Sequence, residues 1–283
     1  MAQLLSGKTV AAALDADTQA AVSALREQGV CPTLAIVRVG ERADDIAYER
    51  GASKRCRTLG LGCRPVTLPA ETTEAELLAV MDRLNRDPGV HSVLLFRPLP
   101  KHIHEDTVRR ALAPEKDADG ITDGSLAGVF SNTAVGFPPC TAQACVELLD
   151  YYGIDCTGKT AVVVGRSLVV GKPAALLLMN RNATVTVCHT KTRSMADLTR
   201  RADIVVVAAG RMQSLGAEYF SAGQIVIDVG IHWNEASGTL CGDVRFSEVE
   251  PLVKAITPVP GGVGSVTTSL LMAHVVEAAR RTL

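Results

Sequence analysis

Residues 160–173 constrain the fold of this chain more than any other segment. They begin with an apolar run, AVVV at 161–164, which is typical of a strand buried on both faces of a parallel sheet. The chain then turns at Gly165, and Gly171 and Pro173 lead into an apolar helical segment, AALLLMNRN. A strand, a glycine turn and a helix N-terminus together place backbone N–H groups where a phosphate can bind. Because the glycine spacing differs from GxGxxG, an ordinary strand–helix corner stays open as the alternative.

Helices and strands alternate on both sides of this segment. Helical patterns cover 6–28, Ala43–Leu59, the segment after the Thr73-x-x-Glu76 capping box, 145–152, 174–182, the segment from Ser194, and 266–281. Buried-strand patterns cover Thr33–Val39, 65–68, 92–96, Thr184–Cys188, 204–208 and Ile225–Asp228. The alternation predicts an α/β fold with parallel sheets covered by helices. We expect two domains, residues 1–140 plus 266–283 and a Rossmann-like domain at 141–265.

Composition excludes several classes of protein. With 283 residues, 47% hydrophobic residues and a formal net charge of -1, the chain suits a soluble globular protein, and neither nucleic acid nor an anionic membrane is expected as a partner. No apolar run approaches the roughly 18 residues of a membrane span, and the N-terminus lacks the layout of a signal peptide. The eight cysteines show no metal-ligand spacing, so we expect reduced thiols, a cytoplasmic location and no metal site.

Residues 257–264, TPVPGGVG, favour a ligand site over a simple connection. Prolines stiffen the backbone, and glycines let a ligand approach it closely. A tight connecting loop is the alternative, although such loops are usually shorter and more polar.

Motifs along nearly the whole chain resemble the bifunctional methylenetetrahydrofolate dehydrogenase/cyclohydrolase family. In chain order they are the segment 44–60 around Tyr48, Arg97-Pro98-Leu99-Pro100, Lys116-Asp117-x-Asp119-Gly120, Pro139-Cys140-Thr141, Gly165-Arg166-Ser167-x-x-Val170-Gly171-x-Pro173, VIDVGI at 226–231 and the 257–264 loop. The resemblance implies a folate-binding α/β domain, a Rossmann-like dinucleotide-binding domain and a cleft between them. It also implies a homodimer.

The activity that the resemblance implies is hydride transfer from 5,10-methylenetetrahydrofolate to NAD(P)+, usually followed by hydrolysis of the methenyl product. By match, Tyr48 stacks on the folate and Asp119 pairs with the pterin, and these two are the predicted catalytic residues. The predicted substrate-binding residues are Tyr48, Phe96, Arg97, Asp119, Pro260, Gly261, Gly262 and Val263. The predicted cofactor-binding residues are Gly165, Arg166, Ser167, Val170, Thr190 and Ile231.

The residues after the second strand of the Rossmann-like domain favour NADP over NAD. An acidic residue there would bind the ribose hydroxyl of NAD. This chain has His189, Thr190 and Lys191 instead, with Arg166 across the turn. A guanidinium and a hydroxyl suit a 2′-phosphate. NAD stays possible, because Arg166 could also be a solvated turn residue.

This chain departs from the family pattern at two positions that the resemblance assigns to the hydrolytic step. The family has a lysine four residues after the tyrosine and a glutamine before Pro-Leu-Pro, whereas this chain has Ala52 and Phe96. Lys54 lies about 200° further round the helix than Ala52, so we expect it to face elsewhere. Alanine and phenylalanine side chains carry no hydrogen-bond donor or acceptor. We therefore predict a dehydrogenase whose cyclohydrolase activity is weak or lost.

Three alternatives stay open. The chain could be a full bifunctional dehydrogenase/cyclohydrolase, because Arg97 could replace part of the electrostatic role of the missing lysine. It could be a folate-binding homologue without catalysis. It could also be another α/β dehydrogenase, acting on a small alicyclic hydroxy acid, although the 257–264 loop would then have no explanation.

Overall fold

The computed structural model describes residues 1–283, which divide into two compact units. The six-stranded unit comprises Met1–Ala12 and Pro139–Thr267, and the three-stranded unit comprises Ala13–Pro138 and Thr268–Leu283. Residues 1–12, placed in the first domain by the sequence pattern, here group with the second half of the chain. The reason is that Gln3–Leu4 forms a strand beside Ala255–Ile256.

Strands and helices alternate along most of the chain. The strands are β1 (Gln3–Leu4), β2 (Thr33–Val39), β3 (Gly62–Leu68), β4 (Ser92–Leu95), β5 (Thr160–Val164), β6 (Thr184–Cys188), β7 (Ile204–Val207), β8 (Ile225–Asp228), β9 (His232–Asn234), β10 (Thr239–Cys241) and β11 (Ala255–Ile256). The α-helices are α1 (Gly7–Glu27), α2 (Ala43–Leu59), α3 (Glu74–Arg86), α4 (Glu105–Ala111), α5 (Asp123–Ser131), α6 (Cys140–Tyr151), α7 (Gly171–Met179), α8 (Met195–Thr199), α9 (Phe246–Val249) and α10 (Val263–Arg280). Short 3-10 helices cover Pro114–Lys116 and Ala217–Tyr219.

The three-stranded unit is built on a parallel sheet of order β3-β2-β4. Strand β2 lies in the middle, and all its residues after Thr33 are buried, including Arg38, which forms an ion pair with Glu49. Its otherwise apolar sequence is typical of a strand covered on both faces. Helix α2 ends at Gly60, whose φ of 81° is a left-handed conformation that glycine adopts without strain. Helix α3 begins with the predicted capping box between Thr73 and Glu76.

The six-stranded unit contains a parallel sheet of order β1-β11-β8-β7-β5-β6 and a separate antiparallel hairpin, β9–β10. Strand β5 lies between β6 and β7, so the loops after these three strands leave the sheet at the same edge. Ile204–Val207 and Ile225–Asp228 are buried throughout, which explains why their sequences are almost entirely apolar.

The predicted parallel α/β architecture is confirmed, and most boundaries agree with the sequence patterns. Strand β3 begins at Gly62, three residues before the predicted start; Pro65 is tolerated inside it because β3 is an edge strand. Helix α10 begins at Val263, inside the predicted ligand loop. The short elements β1, β11, α4 and α5 carried no recognisable pattern. No helix combines the length and the apolar character needed to cross a membrane.

Candidate active site

A cavity at the end of β4 brings together the predicted substrate-binding residues of the first half. This Asp119 cavity has a volume of about 390 Å³. It is lined by Arg42, Asp44, Asp45, Tyr48, Leu94, Leu95, Phe96, Arg97 and Asp119. Tyr48 comes from α2, Phe96 and Arg97 follow β4, and Asp119 lies in the turn after Pro114–Lys116. Residues from a helix, a strand end and a turn far apart in sequence therefore line one cavity.

Tyr48 and Phe96 form the aromatic part of this cavity. Their ring centroids are 5.4 Å apart at an interplanar angle of 66°, an edge-to-face arrangement that aromatic pairs favour. Tyr48 is 45% exposed, whereas Phe96 is only 8% exposed. The tyrosine is therefore half-exposed at the cavity, and the buried phenylalanine contacts its ring.

The turn that carries Asp119 is held by the buried carboxylate of Asp117, a residue of the same motif for which the sequence predicted no role of its own. Asp117 accepts hydrogen bonds from the backbone N–H groups of Ile121 (3.0 Å) and Thr122 (2.7 Å) and from Ser125 Oγ (2.7 Å). On the other side, His274 Nδ1 lies 2.7 Å from the carbonyl oxygen of Ala118. These contacts fix the backbone on both sides of Asp119. Asp117 thus has a structural role in holding the turn.

Arg97 forms an ion pair with Glu105. Its Nη1 lies 3.3 Å from Glu105 Oε1, and the other oxygen of Glu105 accepts from the backbone N–H of Leu99 at 3.4 Å. The pair is partly exposed, and exposed ion pairs contribute little. Arg97 therefore keeps a positive charge at the cavity wall, with Glu105 offsetting part of it.

Position 52 lies on a second cavity of the same unit, which we call the Arg55 cavity. It has a volume of about 420 Å³ and is lined by Asp15, Ala47, Tyr48, Gly51, Ala52, Lys54, Arg55, Thr58, Leu59, Thr268, Leu271 and Met272. The expectation that Lys54 faces away from Ala52 is wrong, since both line this cavity. The reason is that the cavity is lined by two adjacent rows of residues along α2, one of which contains Lys54 and the other Ala52. Within each row the residues are spaced i, i+4, i+7 and i+11. Lys54 does not line the Asp119 cavity.

Arg55, which the sequence analysis did not consider, is the best-anchored cation in that cavity. Its Nη2 donates to Asp15 Oδ1 at 2.7 Å, to Asp15 Oδ2 at 2.8 Å and to Ser269 Oγ. Its Nε is buried and has no hydrogen-bond partner. The ion pair holds the guanidinium against α1 and α10, so the charge of Arg55 is largely compensated.

A third cavity, the Arg166 cavity, opens at the ends of β5, β6 and β7 in the six-stranded unit. It has a volume of about 400 Å³ and is lined by Val164, Gly165, Arg166, Ser167, His189, Thr190, Met195, Ala208, Ala209, Arg211, Ser214, Leu215 and Tyr219. Four predicted cofactor residues, Gly165, Arg166, Ser167 and Thr190, thus lie together. No carboxylate is among the lining residues, whereas two guanidinium groups are. This composition fits a phosphorylated ligand.

The turn after β5 requires glycine at two positions. Gly165 has a φ of 136°, and a Cβ there would overlap the carbonyl of Ala208; a Cβ at Gly171 would overlap the carbonyl of Gly165. Ser167 Oγ accepts from the backbone N–H groups of Val170 (3.2 Å) and Gly171 (3.4 Å). Ser167 therefore shapes the turn, while Val170 does not line the cavity. The tight turn brings the N-terminus of α7 to the edge of the sheet.

Ile231, the last predicted cofactor residue, is 62% exposed and does not line the Arg166 cavity. It follows Asp228, a buried carboxylate that accepts hydrogen bonds from the backbone N–H groups of Gly230 (3.0 Å), Asp243 (3.1 Å) and Val244 (3.0 Å). Burial raises the pKa of Asp228 to about 6, and the three N–H donors only partly counteract this effect.

The raised pKa of Asp228 predicts a pH-dependent contribution to stability. The native state binds the proton more tightly than the unfolded chain, so the free energy of unfolding falls as pH rises from about 4 to about 6. We expect the wild-type protein to lose about 3 kcal/mol relative to Asp228→Asn across this window, because asparagine does not ionise. Urea unfolding of both proteins at several pH values measures the difference. A difference that stays constant from pH 4 to 7 would contradict the prediction.

The predicted ligand loop is held in place by α1. The backbone N–H of Gly7 donates to the carbonyl of Gly261 at 2.8 Å, and the Val259–Pro260 peptide bond is cis. Gly262 and Val263 are buried, Gly261 is half-buried and Pro260 is exposed, and all four belong to the six-stranded unit. The assignment of Pro260, Gly261, Gly262 and Val263 to folate binding stays a prediction.

Comparison with protein families matches both parts of the chain. Residues 5–119 match the model described as tetrahydrofolate dehydrogenase/cyclohydrolase, catalytic domain, and residues 139–283 match the NAD(P)-binding domain of the same family. The bifunctional protein FolD of Carboxydothermus hydrogenoformans is 47% identical over 279 residues, covering 98% of this chain and 97% of that protein. The bifunctional protein FolD of a Clostridium botulinum strain is 44% identical and covers 99% of both chains.

Solved structures of similar proteins have the same fold. The bifunctional FolD enzyme of Campylobacter jejuni superposes with a TM-score of 0.97 at 37% identity, covering 100% of both chains. The FolD of Trypanosoma brucei, solved in complex with NADP cofactor and inhibitor, gives a TM-score of 0.91 at 36% identity, covering 99% of this chain and 98% of that one.

Proposed function

Because the chain belongs to the tetrahydrofolate dehydrogenase/cyclohydrolase family, we propose that it oxidises 5,10-methylenetetrahydrofolate to 5,10-methenyltetrahydrofolate by hydride transfer to NADP+. The observation that carries the proposal is that Tyr48 and Asp119 line one cavity, with Phe96 and Arg97 beside them. A flat heterocycle bearing N–H donors, such as a reduced pterin, suits a half-exposed aromatic ring and a carboxylate.

The proposed roles of these residues concern binding and orientation. Asp119 accepts two parallel hydrogen bonds from the pterin, and Tyr48 stacks on the folate. Hydride transfer from the methylene carbon needs no protein group to donate or accept a proton, since the folate nitrogen lone pairs stabilise the cation that remains. The protein therefore contributes mainly by positioning the donor carbon and excluding water.

The Arg166 cavity supports NADP as the cofactor. Arg166 and Thr190 lie on its wall, and no carboxylate lies there to bind a ribose 2′-hydroxyl. The N-terminus of α7, reached through Gly165 and Gly171, suits the pyrophosphate. Bound NADP+ supplies the hydride acceptor. The relative from Trypanosoma brucei was solved with this cofactor.

We further propose that hydrolysis of the methenyl product is weak or lost. Ala52 and Phe96 provide no group that could handle a water molecule or its proton. Ala52 and Lys54 both line the Arg55 cavity and neither lines the Asp119 cavity, and Arg55 is paired with Asp15. Full bifunctionality is the second candidate function, because the relatives from Carboxydothermus hydrogenoformans and Clostridium botulinum are named bifunctional and Arg97 keeps a charge at the Asp119 cavity.

One set of assays tests the proposal. Purified protein supplied with 5,10-methylenetetrahydrofolate is expected to form NADPH from NADP+, and to form NADH more slowly from NAD+. In a parallel assay with 5,10-methenyltetrahydrofolate, the expected hydrolysis is close to the buffer rate. Absence of both NADPH and NADH would favour a folate-binding protein without catalysis. Homodimer formation, which the family implies, stays a prediction for size measurements in solution.

A further inference from the structure

We propose that Arg211 is a second phosphate-binding arginine, which together with Arg166 distinguishes the 2′-phosphate of NADP from the free hydroxyl of NAD. This inference rests on the proposed dinucleotide site and adds a specificity-determining residue to it. Arg211 follows β7, whereas Arg166 follows β5 and Thr190 follows β6. The three therefore approach one cavity from three adjacent strands.

The guanidinium groups of Arg166 and Arg211 make no hydrogen bond or ion pair within the protein. Three other arginines of the same unit form ion pairs, Arg181 with Asp150, Arg200 with Asp197 and Arg245 with Glu248, whereas Arg193 and Arg201 lie outside the cavity. Two guanidinium groups at one cavity without a carboxylate create a positive potential that favours a bound anion.

The backbone at Arg211 is anchored by a buried carboxylate. The N–H of Gly210 donates to Asp243 Oδ2 and the N–H of Arg211 donates to Asp243 Oδ1, both at 2.9 Å. Asp243 is completely buried, and its Oδ1 also lies 2.7 Å from His232 Nε2. The backbone at Arg211 is therefore held in place before a ligand binds. Binding then costs less conformational entropy than it would from a mobile loop. Asp243 acts as a positioning residue for Arg211.

The charge of each phosphate group of NADP indicates which one Arg166 and Arg211 would bind. A phosphate monoester carries close to two negative charges at neutral pH. The 2′-phosphate of NADP is such a monoester, whereas each phosphate of the pyrophosphate carries one charge and can be bound by the N-terminus of α7. Two guanidinium groups match the monoester, and a single one would leave half of its charge uncompensated.

Binding of 2′,5′-ADP and of 5′-AMP, which differ only in the 2′-phosphate, tests the inference by calorimetric titration of the full-length protein. For Arg211→Ala we expect 2′,5′-ADP to bind about 10- to 100-fold more weakly, the size of a hydrogen bond to a charged group, and AMP to bind unchanged. Arg211→Lys is expected to recover part of the loss, because lysine keeps the charge without the planar fork. The control Arg193→Ala removes an arginine outside the cavity and should change neither affinity.

The outcomes separate the inference from the proposed function. If the wild-type protein prefers 2′,5′-ADP over AMP and this preference survives Arg211→Ala, the role of Arg211 is overturned and the NADP preference stands. Equal weakening of both ligands would also overturn the specificity role. If the wild-type protein binds both ligands equally, the proposed NADP preference itself is wrong, together with the inference.

Discussion

The double substitution Ala52→Lys/Phe96→Gln is expected to raise the hydrolysis of 5,10-methenyltetrahydrofolate about 10²- to 10⁴-fold over the wild-type protein, the usual contribution of general acid–base catalysis. Lysine provides a charged donor that can activate or position water, and glutamine provides both a donor and an acceptor. Helical side chains lean toward the N-terminus of their helix, so a lysine at position 52 would extend toward Tyr48. The measurement is the decay of the methenyl compound with purified protein, corrected for the buffer rate.

Control variants distinguish the effect of the new donor and acceptor groups on hydrolysis from the effect of altered side-chain packing. Ala52→Met/Phe96→Gln carries a side chain of similar length without the charge and is expected to hydrolyse no faster than the wild type. Lys54→Ala tests whether the existing lysine on the Arg55 cavity supplies any residual hydrolysis. Phe96→Gln removes the aromatic contact with Tyr48 and buries an amide, so the thermal stability of each variant is needed for comparison. Wild-type hydrolysis well above the buffer rate would refute the premise of lost cyclohydrolase activity.

Asp119→Ala is expected to lower kcat/KM for 5,10-methylenetetrahydrofolate about 10²- to 10⁴-fold. The variant removes two charge-assisted hydrogen bonds to the pterin, each contributing about 1.5–3 kcal/mol. The backbone of the turn should persist, since the Asp117 carboxylate accepts hydrogen bonds from the backbone N–H groups of Ile121 and Thr122. Steady-state kinetics with varied folate at saturating NADP+ measures the effect, and titration with 2′,5′-ADP checks that dinucleotide binding is unchanged.

The matched control is Asp44→Ala, because Asp44 lines the same cavity and has no proposed contact with the pterin. It removes one negative charge from the wall, so it reports how much of the loss is a general electrostatic effect. An equal loss for both variants would argue against a specific role of Asp119. Asp119→Asn is expected to lie between the wild type and Asp119→Ala, because an asparagine carbonyl can accept from one donor but carries no charge.

Much of the fold follows from local patterns in the sequence. The uninterrupted apolar runs at 161–164 and 204–207 predicted strands buried on both faces, because only a covered parallel sheet hides both sides of such a run. The capping box at Thr73 and the glycine at Gly60 marked helix ends, because these signals depend on a few neighbouring residues. The family motifs also selected Tyr48, Phe96, Arg97 and Asp119, which the structure brings to one cavity.

The sequence by itself thus determined the alternation of strands and helices, the family and the residue types available at each position, including the missing donors at Ala52 and Phe96. Only the tertiary structure decided which side chains share a cavity: Lys54 with Ala52, and Arg211 with Arg166. It also decided that Asp117, Asp228 and Asp243 are buried acceptors for backbone N–H groups. The approach of Arg211 to Arg166 and the hydrogen bonds of Asp228 and Asp243 join segments distant in the chain, whereas Asp117 accepts from residues four and five positions further on. Neither kind of contact leaves a periodic trace in a sequence.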